Sequence, residues 1–350
     1  MKRAVALVCL VTVLAECSIA RANSAPVVAN VTASQRGDGS KLVDINYSLT
    51  DNDNDSCIVW VAVSNNGGQT WSIPARTYSG DIGPAVSPGP NKHVVWDAGA
   101  DVPGKVGTFK VRVFADDGKG AGAKVLVPAG PFRFQNGTDW VHVNSYMIDK
   151  YEVTNTFYCQ FLNNADPDSN HWVGNMEIDR FGEPGNYSYA VHPGKENYPI
   201  NYVNYYDAEA FAAWRSTQEG LTYRLPNPYE WEKAGAWDPI EQYYYTYGYH
   251  SNSIDSTWCN YGNHYGGPLP VGSFDGTGGK QDAHSYYGCY DISGNILEWI
   301  NENAGIGQKR LRSGSWFSEN LTDLRVMGGD SREMTARDST IGFRLVLELN

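Results

Sequence analysis

The sequence predicts an α+β protein of two domains, in which a small β-sandwich precedes a compact domain with few helices. Short segments of the first third alternate apolar and polar residues with a period of two, as half-buried strands do. Later segments show a helical period but are short and widely separated. Only 19% of the 350 residues are charged, whereas 13% are aromatic and 37 are glycine, a composition typical of a loop-rich chain.

The first 22 residues have the pattern of a secretory signal peptide. Lys2 and Arg3 precede an apolar run over residues 4–14, which is too short to span a bilayer. Residues 20–22 (Ala-Arg-Ala) match a cleavage site, so we expect a mature chain that begins near Asn23 and is secreted, periplasmic or displayed at the cell surface. No other segment is long and apolar enough to form a transmembrane helix.

The formal net charge of −12 limits the expected partners. No cluster of Lys or Arg offers a binding stripe for phosphates, so nucleic acid is not expected as a partner. An acidic surface keeps an exported protein soluble and also suits calcium.

Four cysteines remain after the predicted cleavage, namely Cys57, Cys159, Cys259 and Cys289. Export allows disulfides to form, but Cys57 is alone in the first domain and has no partner there. Cys259 with Cys289 is the best candidate pair, and four buried free thiols are the alternative, because sequence does not give connectivity.

Residues 25–122 are predicted to form the β-sandwich, of immunoglobulin or fibronectin type. Residues 43–49 and 109–115 alternate apolar and polar side chains, whereas residues 57–64 are apolar on both faces, as in a central strand. Residues 65–68 (Asn-Asn-Gly-Gly) tolerate positive φ and indicate a hairpin turn. Short strands separated by turn residues, without a helical period, are typical of such sandwiches.

Residues 51–55 alternate carboxylates with amides, a pattern shared with some calcium loops. An EF-hand would need Gly at its sixth position and Glu at its twelfth, where this chain has Ser56 and Ala62. The segment is therefore interpreted as a polar turn. The first domain has no catalytic motif and is expected to be a spacer or an adhesion module.

Residues 125–350 are predicted to form the second domain, which follows a glycine-rich polar boundary at residues 116–122. A short helix is expected over about residues 156–162. A longer helix is expected over residues 207–219, where apolar side chains recur on one face and Gly220 supplies the stop.

A third helix is expected to begin after Asn227. Asn227 can cap the helix, Pro228 suits its first position, and Glu230 can return to the cap in a capping box. The tyrosine-rich stretch at residues 243–247 is interpreted as packing rather than as a cofactor site.

An ordered series of motifs runs through the second domain, namely Val125–Phe132, Ile148–Asn155, Tyr198–Asn204, Tyr223–Glu232, Gly294–Trp299, Arg312–Trp316 and Ile341–Arg344. Each motif alone is weakly specific. Together and in this order they resemble the formylglycine-generating enzyme (sulfatase-modifying factor) family, from about Val125 to Leu347. The resemblance implies a compact α+β fold related to C-type lectins.

The resemblance also implies where the family's chemistry would lie. Members that oxidise a sulfatase cysteine bind copper(I) with two cysteines, at the third and eighth residues after the Ser of the Gly-Ser motif. Counted from Ser315, these positions are Ser318 and Asp323, and no cysteine follows Cys289. Copper(I) prefers sulfur, and neither oxygen side chain forms a mixed disulfide, so copper is not expected and no catalytic residue is assigned.

Iron enzymes related to this family, such as sulfoxide synthases of the ergothioneine type, draw histidine ligands from a separate helical domain. The seven histidines of this chain are His93, His142, His171, His192, His250, His264 and His284. They form no helical i, i+4 pair and show no two-His-one-carboxylate spacing. They are therefore interpreted as surface or hydrogen-bonding residues.

One metal site of the family is matched by residues 291–298. The resemblance implies a side-chain oxygen from Asp291, backbone carbonyls from Gly294 and Ile296, and a carboxylate from Glu298. Calcium takes roughly six to eight oxygen ligands of these kinds, so a structural calcium ion is expected. The alternative is a turn in which Glu298 caps backbone amides.

The resemblance places a second calcium site on Asn260 and the carbonyl of Tyr261. This site is doubtful, because residues 266–270 (Gly-Gly-Pro-Leu-Pro) offer no carboxylate where an acidic partner would be needed.

The function that we expect is that of a non-catalytic, calcium-stabilised binding or structural module at the cell exterior. Its ligand would be a peptide, a protein or a glycan, because aromatic and polar side chains line the surface that, by the resemblance, corresponds to the family's substrate groove. The expected ligand-binding residues are Trp316, Phe317, Ser318, Glu319 and Asn320. The alternative for Trp316 is that it belongs to the core.

Two other functions are open. One is a formylglycine-generating oxidoreductase with unusual metal ligands, which the missing cysteine pair disfavours. The other is a variable ligand-binding protein of the type made by diversity-generating retroelements. In that case residues 317–340 would be the diversified stretch, which a single sequence does not show.

Overall fold

The computed structural model describes residues 25–68, 71, 73, 75–105, 107–120 and 122–349; the predicted signal peptide lies outside them. The described chain is mostly β with few helices. Its strands are β1 Val27–Gln35, β2 Leu42–Thr50, β3 Cys57–Ser64, β4 Tyr78–Gly80, β5 Gly83–Val86, β6 Gly89–Asp97, β7 Lys110–Asp116, β8 Lys124–Val127, β9 Gly130–Arg133, β10 Trp140–Val143, β11 Tyr146–Asp149, β12 Ile178–Glu183, β13 Asn186–Val191, β14 Tyr223–Arg224, β15 Trp237–Asp238, β16 Tyr243–Tyr244, β17 Leu297–Gly305, β18 Gln308–Arg312, β19 Gly329–Glu333, β20 Ile341–Gly342 and β21 Val346–Glu348. Its helices are α1 Ala98–Asp101, α2 Asn155–Ala165, α3 Tyr205–Glu219 and α4 Pro228–Ala236, with a 3₁₀ turn at Phe134–Asn136.

The N-terminal region contains two antiparallel sheets around a common core. Their strand orders are β1-β2-β6-β4 and β5-β3-β7. Alternation in β2 buries Ile45 and Leu49, which pack in one cluster with Val59 of β3 and Trp96 of β6. The strands predicted at residues 43–49 and 57–64 are confirmed, and the strand predicted at residues 109–115 is β7, displaced by one residue.

The segment between β2 and β3 is a turn, as predicted. The Oδ1 atom of Asp51 accepts the backbone N–H groups of Asp53 at 2.8 Å and Asp55 at 3.2 Å. Lys119 donates to Asp55 at 2.7 Å, so one of these carboxylates has a cationic partner.

The first long helix, α2, exceeds the prediction at both ends. The hydroxyl of Thr154 accepts the N–H of Phe157 and caps the helix, which begins at Asn155. The apolar side chains of Tyr158 and Phe161 are buried, and the helix continues to Ala165. The added length therefore comes from a capping residue and from packing of one helical face.

The predicted end of α3 and the predicted start of α4 are confirmed, whereas α3 starts earlier than predicted. Asn204 and Asp207 form a capping box that starts α3 two residues before the predicted position, and Gly220 ends it at φ +66°. At α4 the predicted capping box is confirmed, since Asn227 accepts the N–H of Glu230 and the carboxylate of Glu230 accepts the N–H of Asn227.

The C-terminal motifs meet at a parallel strand pair. β17 pairs with β20, so that Leu297 lies beside Ile341 and Glu298 beside Gly342. A Cβ at Gly342 would lie 2.5 Å from the carbonyl oxygen of Ile200, so the close approach requires glycine. This pairing brings the Gly-Phe-Arg motif against the predicted calcium turn.

No helix within the described ranges is long and apolar enough to cross a bilayer. The cysteines at positions 57, 159, 259 and 289 are all buried free thiols. For Cys259 and Cys289 the free-thiol alternative therefore holds rather than the disulfide.

Candidate functional site

The predicted calcium turn is a tight segment held against the chain around Asn260. Asp291 and Asn295 adopt left-handed φ angles of 58° and 60°, and Gly294 has φ 84°. A Cβ at Gly294 would lie 2.4 Å from the carbonyl oxygen of Asn260, so this position requires glycine. The turn leads through Ile296 directly into β17.

Glu298 is neutralised by Arg344 inside the protein. Both residues are 0% exposed, and the guanidinium donates from Nε to Oε2 at 2.8 Å and from Nη2 to Oε1 at 2.7 Å. Because a buried carboxylate is stabilised strongly by a charged bidentate donor, Arg344 takes the place of the backbone amides that the alternative gave as partners of Glu298. The capping alternative for Glu298 is therefore wrong.

Asp291 and Glu152 form no ion pair with any residue that the structure describes. They are only 7% and 2% exposed. Asp291 Oδ2 accepts the N–H of Gly272 at 2.6 Å, and Glu152 Oε1 accepts the side-chain amide of Asn295 at 3.0 Å. Glu152 Oε2 is buried without a hydrogen-bond partner.

The surroundings of these two carboxylates disfavour negative charge. Burial, followed by the nearby charges of Asp291 and Glu298, raises the pKa of Glu152 well above its usual value. Burial also raises the pKa of Asp291. A buried charge without a partner typically costs several kcal/mol, so this pair needs a proton or a cation.

The donor chemistry fits calcium. Asp291 and Glu152 provide carboxylate oxygens, and Oδ1 of Asn260 is a third buried oxygen without a hydrogen-bond partner. Asn260 and Glu152 both contact the side-chain amide of Asn295, at 3.2 Å and 3.0 Å. Hard, buried oxygens from carboxylates and amides are the ligands that calcium prefers.

Sequence reasoning missed Glu152. It lies inside the motif at residues 148–155, between Tyr151 and Val153, where the chain leaves the buried strand β11. A lone carboxylate between apolar residues in a buried segment is itself a signal, because charged side chains are rarely buried unless they are paired.

The turn also supports the loop that follows the Gly-Ser-Trp motif. The carbonyl of Asn295 accepts the N–H of Trp316 at 2.7 Å. On the other side of the loop, Asn263 donates to the carbonyl of Trp316 at 2.7 Å and Gly262 donates to the carbonyl of Ser318 at 2.9 Å. The loop that carries the expected ligand-binding residues is therefore hydrogen-bonded directly to the turn.

The five expected ligand-binding residues lie together at the surface. Trp316 is partly buried, with its ring 5.4 Å from that of Phe317, which is 57% exposed. Glu319 and Asn320 are exposed and Ser318 is partly buried. Trp316 is thus neither a core residue nor fully exposed, and its neighbours present an aromatic ring beside polar groups.

Ser318 and Asp323, which the resemblance places at the family's cysteine pair, are hydrogen-bonded within their own loop. Ser318 Oγ accepts the N–H of Ser315 at 3.0 Å, and Asp323 accepts from the side-chain amide of Asn320 at 3.4 Å. The thiols lie elsewhere, and burial raises the pKa of Cys57 and of Cys289 to about 11. A protonated, buried thiol is neither a copper ligand nor a nucleophile.

These features define a class of protein, namely a mostly β domain with few helices whose motifs converge on a buried turn and a surface loop. Residues 111–349 match the sulfatase-modifying factor enzyme 1-like domain, and the chain belongs to this family. The crystal structure of CarF has a TM-score of 0.51 to this chain at 22% identity, covering 65% of this chain and 98% of CarF. This likeness concerns the fold alone.

Two curated relatives carry the names of enzymes. Hercynine oxygenase of Mycolicibacterium smegmatis is 28% identical over 209 residues, which are 52% of this chain and 46% of that protein. Formylglycine-generating enzyme of Thermomonospora curvata is 26% identical over 221 residues, 50% of this chain and 69% of that enzyme. The chain spans about half the length of the first relative.

Proposed function

We propose that the protein is a non-catalytic, calcium-stabilised binding module of the sulfatase-modifying factor family. The observation that carries this proposal is the chemistry of the surface loop. Ser318 and Asp323 stand where copper-dependent members have cysteines, and both are engaged in local hydrogen bonds. Without a thiol at this surface the family's copper chemistry has neither its metal ligands nor its exchange partner.

Calcium would have a structural role in this protein. Asp291 and Glu152 would hold the ion, with Asn260 as a further oxygen donor. The positive charge of the ion would balance the negative charge of the two buried carboxylates. The side chain of Asn295 contacts Glu152 and its carbonyl contacts Trp316. An ion that holds the carboxylate of Glu152 in place would therefore also hold Trp316 in place, through Asn295.

The ligand that we propose is a peptide, a protein or a glycan. Phe317 offers an exposed aromatic ring, and Glu319 and Asn320 add polar groups beside it. Aromatic side chains with polar neighbours are enriched in recognition surfaces. The ring of Phe317 would provide contact area, and the polar groups would provide orientation.

The N-terminal region, residues 25–122, is proposed to be an immunoglobulin-like or fibronectin-like sandwich that acts as a spacer or adhesion module. Two antiparallel sheets around a shared core support this proposal. Secretion, periplasmic location or display at the cell surface is proposed from residues 1–22. The retroelement alternative for residues 317–340 stays a prediction, which a near-copy of the gene segment beside the gene would support.

Metal analysis and an aldehyde assay together test the proposal. Purified mature protein should contain calcium but no stoichiometric copper. After loading with copper(I) it should produce no aldehyde from a cysteine-containing sulfatase peptide. The Thermomonospora curvata formylglycine-generating enzyme, treated in parallel, is the positive control. Aldehyde formed from the peptide by the unaltered chain would show that the protein is an enzyme.

A further inference from the structure

A second cluster of potential metal ligands lies on the hairpin of β15 and β16. The chain leaves β16 and returns through a bridge between Tyr247 and Ser251, which brings His250 back to the hairpin turn. One ligand-type atom from each of Asp238, Glu241 and His250 lies within 4.8 Å of the other two. The cluster therefore combines two carboxylates with an imidazole.

Asp238 is the fixed member of this cluster. It is 3% exposed, and its Oδ1 accepts the N–H groups of Ile240 at 2.7 Å and Glu241 at 3.0 Å. Its Oδ2 lies 2.7 Å from Nε2 of His250. The backbone thus holds one oxygen, and the other oxygen faces the imidazole.

Tyr245 positions the two outer members. Its hydroxyl donates to Oε2 of Glu241 at 2.6 Å, and its ring lies against that of His250, with the ring centroids 4.1 Å apart. Hydrogen bonds and packing from outside a metal site orient its ligands and raise metal affinity. A single aromatic residue therefore organises both exposed ligands.

We propose that Asp238, Glu241 and His250 bind a divalent first-row transition metal ion, with zinc as the best-matched ion. Zinc sites accept carboxylate oxygen and imidazole nitrogen, and three protein ligands leave a further coordination position open. The two carboxylates supply two negative charges, which a divalent ion neutralises. Because calcium takes oxygen ligands, the imidazole separates this site from the proposed calcium turn.

The site borders a large cleft. Trp237, Pro239 and Gln242 of the same hairpin line a space of about 700 Å³. The ring of Tyr286, another residue of the cleft wall, lies 6.3 Å from that of His250. The ion would therefore be held beside a cleft with aromatic walls, as in many ligand-binding sites.

Calorimetric titration of zinc into the full-length chain tests this proposal. The protein is first freed of metal and then saturated with calcium, so that any calcium site is filled before zinc is added. We expect one zinc ion per chain, loss of this binding in His250→Ala, and at least ~10-fold weaker binding in Glu241→Gln. Tyr245→Phe should weaken binding by about 10-fold, and by less than Glu241→Gln does, since it removes only an outer hydrogen bond.

His142→Ala is the matched control, because His142 is an exposed histidine on β10 outside the cluster. It should bind zinc as the unaltered chain does. The proposal is overturned if the chain binds no zinc, if His250→Ala binds it unchanged, or if His142→Ala loses as much affinity, which would indicate adventitious surface binding. If His250→Ala does not fold, Glu241→Gln and the absorption of bound cobalt(II) decide the question.

Discussion

Two clusters of buried charge lie side by side in the second domain, and only one is balanced by protein side chains. In the first, Arg215 donates to the two oxygens of Asp149 at 2.8 Å and 3.0 Å and to Glu219 at 2.9 Å. Buried Lys124 adds a second positive charge beside Glu219. Lys124 also lies 3.5 Å from the carboxylate of Asp116, so each acid of this cluster has a basic partner.

The second cluster has three acids and one base. Arg344 pairs with Glu298, whereas Asp291 and Glu152 pair with no described cation. A contact of 3.4 Å from Arg344 to the carbonyl of Asp149 joins the two clusters. The difference shows where the fold balances its own buried charges and where a proton or a cation is needed, since buried ions are stable only when they are paired.

The largest expected effect comes from breaking the balanced cluster. Arg215→Met leaves Asp149 buried without its partner, which should lower the free energy of unfolding by about 3–5 kcal/mol. Urea denaturation with calcium and with chelator should give the same loss, because no ion takes part in this cluster.

Arg332→Ala is the control for this substitution. Its ion pair with Asp330 is exposed, so the loss should not exceed about 1 kcal/mol. An equal loss in both arginine variants would remove the distinction between buried and exposed pairs.

The next effect concerns the unbalanced cluster. Calcium at about one hundred times its Kd should raise the free energy of unfolding of the unaltered chain by ~2.7 kcal/mol. Glu152→Gln and Asp291→Asn should lose this response. In chelator, Glu152→Gln should be more stable than the unaltered chain, because the cost of burying this carboxyl, either charged or protonated, has been removed. A calcium response that survives in both variants would place the ion elsewhere.

A smaller effect should appear in the dependence of stability on pH. Without calcium, the raised pKa of Glu152 means that the folded chain binds this proton more tightly than the unfolded chain. The contribution of Glu152 to the free energy of unfolding should therefore fall as pH rises above the ordinary carboxyl pKa of about 4.3. Unfolding curves of the unaltered chain and of Glu152→Gln at pH 5 and pH 8 isolate this contribution. If the difference in free energy of unfolding between the two proteins is the same at both pH values, the pKa of Glu152 is not raised.

The smallest effect is expected at the ligand surface. Phe317 is 57% exposed, so Phe317→Ala should change the free energy of unfolding by no more than about 0.5 kcal/mol. Trp316→Ala should cost more, because Trp316 is partly buried and its loop is bound to Asn295. If both substitutions change thermal unfolding equally, Phe317 is not a surface residue without a structural role, and this distinction from Trp316 is wrong.

Local features of the fold could be predicted from the sequence. The capping residues at 227 and 230 determine where α4 begins, and the alternation at residues 43–49 determines a strand, because each depends on neighbours along the chain. The family was also predictable, because its motifs occur in a fixed order.

The proposed metal sites could be predicted only in part. Asp291 was identified by resemblance, but Glu152 joins it from a segment 139 residues earlier in the chain, and no local rule connects them. His250 was interpreted as a surface residue, because its spacing to Asp238 and Glu241 fits no helix. Only the return of the chain after β16 brings these three together.

The most direct test of the central claim is a calorimetric titration of calcium into the metal-free, full-length chain at neutral pH. We expect a calcium ion to bind at the turn in the unaltered chain, and this binding to be lost in Glu152→Gln and in Asp291→Asn. If the unaltered chain binds no calcium, or binds it equally well with both carboxylates neutralised, the buried acids are stabilised in another way and the claim is wrong.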